Sequence, residues 1–117
     1  MSRLKDIGLP RFEDFNTFST WFQIFIEFFS RVDLLEASVA PSSVGATTTS
    51  EQTFTLTTLE LNDIVIPIKP THQAGLGIVN ARVTAADTVG ITYMNTTGGA
   101  ITPTTETYKF LIFRLGT

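Results

Sequence analysis

The chain contains no cysteine among its 117 residues, which excludes disulfide bridges, thiolate metal sites and thiol nucleophiles. It contains one histidine, His72, so any imidazole chemistry rests on a single side chain. Charge is sparse as well: 16% of residues are charged, and the net charge is −3. The basic residues are scattered from Arg3 to Arg114 rather than clustered. The electrostatic footprint of a nucleic-acid binder is therefore missing, and no direct nucleic-acid partner is expected. Long apolar runs are missing too. Trp21 to Phe29 is interrupted by Gln23 and Glu27 and falls short of the about 18 apolar residues that a spanning helix needs. Met1 to Asp6 leads into Gly8, Leu9 and Pro10 rather than an apolar run, so no signal peptide is expected.

What the chain does have is apolar mass: 43% of it is hydrophobic, enough for a packed core. Its distribution changes near Pro41. Seven of the ten phenylalanines lie between Phe12 and Phe29, whereas the chain beyond Pro41 is rich in threonine, β-branched residues and turn signals. Phe15, Phe18, Phe22, Phe25, Phe29 and Val32 recur at alternating intervals of three and four, a heptad seam with apolar residues at both a and d. This spacing predicts an amphipathic helix from Pro10 or Asp14 to Val32 or Asp33. Pro10 suits its first turn, and Glu13 and Asp14 favour the positive end of its dipole. Trp21, Ile24, Ile26 and Phe28 widen the apolar stripe beyond a two-stranded seam. Burying one such side chain is worth roughly 1.5–3 kcal/mol, so the stripe must find a cover. Three covers are open: the chain's own β-domain, other copies of the helix, or a membrane surface. The last is disfavoured because the polar face lacks Lys and Arg. Bulky residues at both seam positions suit three helices around an axis, with Phe15, Phe18, Trp21, Phe22, Phe25, Phe29 and Val32 as the oligomer or docking interface.

The second part reads as strands. Candidates are Leu34–Val39, Thr53–Leu61, Ile64–Ile68, Leu76–Val83, Val89–Tyr93 and Tyr108–Phe113. Pro67 argues for an edge position or a bulge, and Gly75 for a bend or a close backbone approach. In the last strand Tyr108, Phe110 and Ile112 alternate with Lys109, Leu111 and Phe113, so both faces are largely apolar. Such a strand needs a second layer outside its own core, supplied by the helix or by a neighbouring subunit. The expected fold is mainly β, a small antiparallel β-sandwich or barrel preceded by one N-terminal amphipathic α-helix. The expected division is residues 1–36 for the helical oligomerisation or anchoring segment and 37–117 for the β-domain.

Residues that could carry chemistry are few. His72 reads as a loop histidine, and Asp63 and Asp87 as turn residues that cap local N–H groups. Gly75-Leu76-Gly77 matches a phosphate loop only superficially, without a third glycine or a following helix. Asn95-Thr96-Thr97 fits a glycosylation sequon but reads as incidental. Ser42-Ser43 and Thr47–Thr49 read as a solvated linker or exposed loop. No catalytic, cofactor or metal-ligating constellation stands out, and the expectation is a protein that is not an enzyme.

The stretches Glu51–Leu56, Leu61–Val65, Lys69–Thr71, Ala74–Val83, Ile91–Asn95, Ile101–Pro103 and Thr107-Tyr108 together resemble a β-sandwich domain of small virion structural proteins of tailed bacteriophages, the capsid decoration or cement and head–tail accessory proteins. The resemblance spans roughly Ser38 to Arg114 and leaves the helix outside it. It departs at Leu59-Glu60, where a glycine is expected before the Asn62-Asp63 turn. It implies a virion component assembled in the host cytoplasm: a homotrimeric capsid decoration protein that bridges subunits of the major capsid protein, or else a neck, tail or head-fibre component with another virion protein as partner. From a different class, a carbohydrate-binding β-sandwich would need exposed aromatics, but Trp21 lies in the helix, and of tryptophan and tyrosine only Tyr93 and Tyr108 remain. A small enzyme would have to use His72 with Asp63 or Asp87.

Overall fold

The computed structural model describes residues 15–29 and 31–114. The chain divides into two compact units, Met1–Val32 and Asp33–Thr117.

In the first unit, α1 spans Phe15–Phe29. Its sequence contains no glycine or proline, and the three-four spacing stacks aromatic pairs one turn apart. Phe18 lies over Phe22 with ring centroids 5.8 Å apart, and Trp21 over Phe25 at 5.4 Å. Aromatic and β-branched residues are mediocre helix formers, and a 15-residue helix is marginal alone. Packing must therefore supply its stability. No acidic residue lies in its first turn and no basic residue in its last. The expected start at Pro10 or Asp14 lies outside the described residues. The expected end at Val32 or Asp33 is corrected. The helix stops at Phe29, Arg31 turns, and Val32 opens a strand, where its β-branched side chain is better accommodated.

The second unit is a sandwich of two three-stranded antiparallel sheets that do not close into a barrel. The strands are β1 (Val32–Val39), β2 (Thr48–Thr55), β3 (Ile64–Ile68), β4 (Leu76–Ala85), β5 (Thr88–Asn95) and β6 (Glu106–Phe113). One sheet has the order β1-β6-β3, the other β2-β5-β4. The boundary drawn from composition at 36/37 falls inside β1.

The two central strands make the core by simple alternation. Val89, Ile91 and Tyr93 of β5 and Tyr108, Phe110 and Ile112 of β6 are all buried, joined by Val39, Val65 and the connection residues Val44, Leu56 and Leu59. The Tyr93 and Tyr108 hydroxyls meet 2.9 Å apart inside this core and link the sheets. Pro67 sits in β3, which is an edge strand, as its missing N–H requires. The edge strand β4 carries two bulges, between Ile78 and Asn80 and between Val83 and Ala85.

One strand begins earlier than expected. Thr48 and Thr49 are not linker but the first residues of β2, paired with Asn95 and Met94. A threonine run looks solvated in composition, yet threonine is also a strand former, and an available partner strand decides. The same strand ends at Thr55, so Leu56 and Leu59 enter the core from a connection rather than from a strand. Where a glycine was expected at Leu59-Glu60, the flanking Thr58 (φ 75°) and Asn62 (φ 78°) take the left-handed conformation instead, and Leu59 is 2% exposed.

Candidate interaction surfaces

The predicted interface residues lie on α1, apart from Val32. Phe15 is 79% exposed and Phe22 47%, while Phe18 and Phe25 are also exposed and Trp21 is half-buried. The Phe29 side chain lies outside the described residues. Val32 is the half-buried first residue of β1 and does not extend a helical seam. The apolar surface is wider than the seam: Ile24, nearly opposite it on the helix, is 62% exposed, and Ile26 is exposed as well. The polar face is confined to Asn16, Ser19, Thr20, Gln23 and Glu27, so the exposed apolar surface is wider than a two-stranded seam requires.

A second apolar surface lies on the β-unit, made of residues outside the predicted seam. Alternation places Ile64, Ile66 and Ile68 of β3 on the outer face of the β1-β6-β3 sheet, each 45–49% exposed. The register sets Ile64 beside Phe113, Ile66 beside Leu111 and Ile68 beside Lys109. Leu34 of β1, 58% exposed, lies on the same face. The signal available in the sequence was the isoleucine at every second position around Pro67, together with the doubly apolar β6.

The other sheet presents a mainly polar outer face, on which Val79 and Met94 are the exposed apolar residues. Arg82 donates to Glu51 through Nε (2.7 Å) and a terminal nitrogen (2.9 Å), and these bonds hold the Glu51 carboxyl below its ordinary range. The ion pair crosses over Gly90, where a Cβ would come within 3.0 Å of a Glu51 carboxylate oxygen and 2.9 Å of the Thr84 methyl. Beside it, Thr47–Thr49 and Met94–Thr96 line an open depression of about 260 Å³ that holds no charged group.

Polar clusters fix the two ends of the sandwich. At one end Asp63, 8% exposed, accepts from Arg114 Nε (3.0 Å) and Nη2 (2.9 Å) and from the Glu60 N–H (3.0 Å). The Arg114 bonds hold its carboxyl below the usual aspartate range against the opposing effect of burial. Arg114 also donates to the Thr58 carbonyl (2.7 Å). Asp63 thus caps a local N–H, as expected, but its main partner lies 51 residues away. Asp87 caps the N–H of Thr58, 29 residues distant, rather than a local one. At the opposite end the Asn95 side chain is fully used: Nδ2 donates to the carbonyls of Val44 and Gly99, and Oδ1 accepts from the N–H and hydroxyl of Thr97. The Asn95 sequon is therefore a buried hinge of the loops. Gln73 ties the same loops by donating to Thr102 O and accepting from Thr104 N–H. Lys69 and Glu106 form an ion pair at 3.0 Å nearby.

This layout separates the residues that an enzyme would have needed. His72 is exposed in the β3–β4 connection, whereas Asp63 precedes β3, so a strand of about 17 Å lies between them. Asp87, bonded to Thr58, belongs to the Asp63 end. The two tyrosines that a carbohydrate-binding face would need are both buried, and burial pushes both hydroxyls above the ordinary tyrosine range. Among the described residues no three His, Asp or Glu side chains gather as a metal-ligand set, and no helix is long and apolar enough to cross a membrane.

Comparison with protein-family models, curated proteins and solved structures finds no match to this chain. The functional reading therefore rests on the surfaces described above and on the resemblance noted in the β-half.

Proposed function

We propose that this chain is a structural subunit of a tailed-phage particle, a trimeric capsid decoration protein that stabilises the head by non-covalent bridging. The particle is taken from the resemblance of the β-half, and the mechanism from the exposed apolar surface of α1. The observation that carries the mechanism is the exposure of Phe15, Phe22, Ile24 and Ile26 on one short helix. At about 25 cal/mol per Å² of apolar surface removed from water, such a helix has a strong drive to associate and contributes little until it does. Three copies of α1 around one axis give the bulky side chains the room that two strands of helix do not. The mainly polar β2-β5-β4 face and the net charge of −3 suit a surface turned to solvent and away from packaged DNA.

The test is mass analysis and immunogold imaging of the particles made by the genome that encodes this chain. The decoration reading expects the chain on the head exterior in multiples of three. Its location at the neck, tail or a head fibre replaces decoration with that role, and its absence from the particle overturns the virion reading.

A further inference from the structure

We propose that the outer face of the β1-β6-β3 sheet is an interface with a second copy of this chain. The inference rests on reading the chain as self-associating, and it assigns to that association a surface beyond α1.

Sandwich strands that face water on the outside alternate apolar with polar or small residues, as Val89, Ile91 and Tyr93 of β5 do against Gly90 and Thr92. On the β1-β6-β3 sheet the alternation fails. Val65, Phe110 and Ile112 point into the core, and the intervening positions still hold Ile64, Ile66, Ile68, Leu111 and Phe113. The inner set already fills the core, so the outer set has no role within the sheet's own sandwich. Register makes the patch continuous across β3 and β6, and Leu34 extends it onto β1.

Size and charge indicate the occupant. Strands of eight, eight and five residues about 4.8 Å apart, at about 3.3 Å per residue, give a face of roughly 330 Å². A stable interface needs about 800 Å² from each partner, so this face alone supplies less than half. The same chain exposes further apolar surface at Phe15, Phe22, Ile24 and Ile26 of α1, so association between copies of this chain does not depend on the sheet face alone. The charges that alternation places on the face are Glu36 and Lys109, one of each sign. Copies of it meet without net repulsion, and the face offers no charge by which a strongly acidic or basic partner is selected. Pro67 withholds an N–H from the β3 edge, which disfavours strand addition there and leaves the flat face as the place of contact.

The absence of cysteine makes a clean reporter possible. Ile66→Cys reports on the apolar face, and Thr53→Cys, on the outer face of the other sheet, serves as control. Maleimide labelling of the full chain is compared at high and low concentration, with the mass followed in parallel. The expected result is labelling of I66C at least tenfold slower where the assembly forms, with T53C unchanged. Ile66→Lys is expected to reduce the assembled mass while far-UV circular dichroism keeps the strand signature. Equal labelling of I66C at both concentrations overturns the proposal, as does a mass that stays that of one copy. Protection of I66C at every dilution, which marks a cover from within one chain, overturns it too. So does protection that appears only on phage heads, which marks a foreign partner. If the chain proves absent from virions while I66C is protected by concentration, the virion reading falls and this interface stands.

Discussion

On the outer face of β2-β5-β4, Glu51 and Arg82 pair across Gly90 and threonines fill neighbouring positions, whereas the corresponding face of β1-β6-β3 holds Ile64, Ile66, Ile68, Leu111 and Phe113. The two sheets contribute similar inner faces to one core, so stability of the sandwich does not require this difference. Water tolerates the first face and not the second. The contrast marks the side of the β-domain that carries the proposed interface, and it does so without reference to any catalytic group. α1 repeats the lesson in the other unit, with apolar residues on its flanks as well as along its seam.

Substitutions at adjacent positions of β6 break the comparison most strongly. Phe110→Ala removes a fully buried ring from the inner face and is expected to cost about 3–5 kcal/mol in denaturant unfolding. Leu111→Ala, one residue on, is expected to cost about 1 kcal/mol or less in dilute protein, with its larger effect on the concentration dependence of the melting temperature. Equal costs at the two positions in dilute protein would erase the distinction between inner and outer faces.

Next in size is the anchor of the β6 end. Asp63→Asn leaves Arg114 without its buried carboxylate and is expected to lose about 2–3 kcal/mol. The sign with pH follows from the depressed pKa. The folded carboxyl stays ionised below the ordinary aspartate value of about 3.9, so its contribution is present above that pH. It is lost as pH falls through the lower folded value. Unfolding midpoints measured from pH 6 to pH 2 should fall less steeply for the variant.

The last comparison concerns the bond between the sheets. Tyr93→Phe or Tyr108→Phe strands one buried hydroxyl and is expected to cost about 1–3 kcal/mol, whereas the double variant should recover much of that loss. Additive losses in a double-mutant cycle would show that the two hydroxyls do not act as a pair.

The parts of this fold legible in the sequence are those with a strict local period. Tyr108–Phe113 and Val89–Tyr93 alternate cleanly and become the central strands, and Pro67 marks its strand as an edge. The three-four spacing identifies α1 but not its end, because Val32 satisfies the helical period and the strand period equally, and pairing decides. The threonines at the start of β2 lack an apolar alternation altogether, so their strand exists only through its partner β5. Arg114 with Asp63, and Asn95 with Val44 and Gly99, join loops distant in sequence and leave no local pattern to read. Of the candidate surface, the aromatic seam is legible as a spacing. The aliphatic sheet face was half-visible, as a last strand apolar on both sides, and the fold adds β3 and β1 to it by register and alternation.

The central claim is that the apolar surface of α1 and of the β1-β6-β3 face exists to be buried between copies. Sedimentation equilibrium of the intact chain from micromolar to hundreds of micromolar tests it most directly. The account predicts a concentration-dependent rise from the 12.9 kDa of one chain to three times that mass. A folded species that keeps the single-chain mass across the whole range contradicts it.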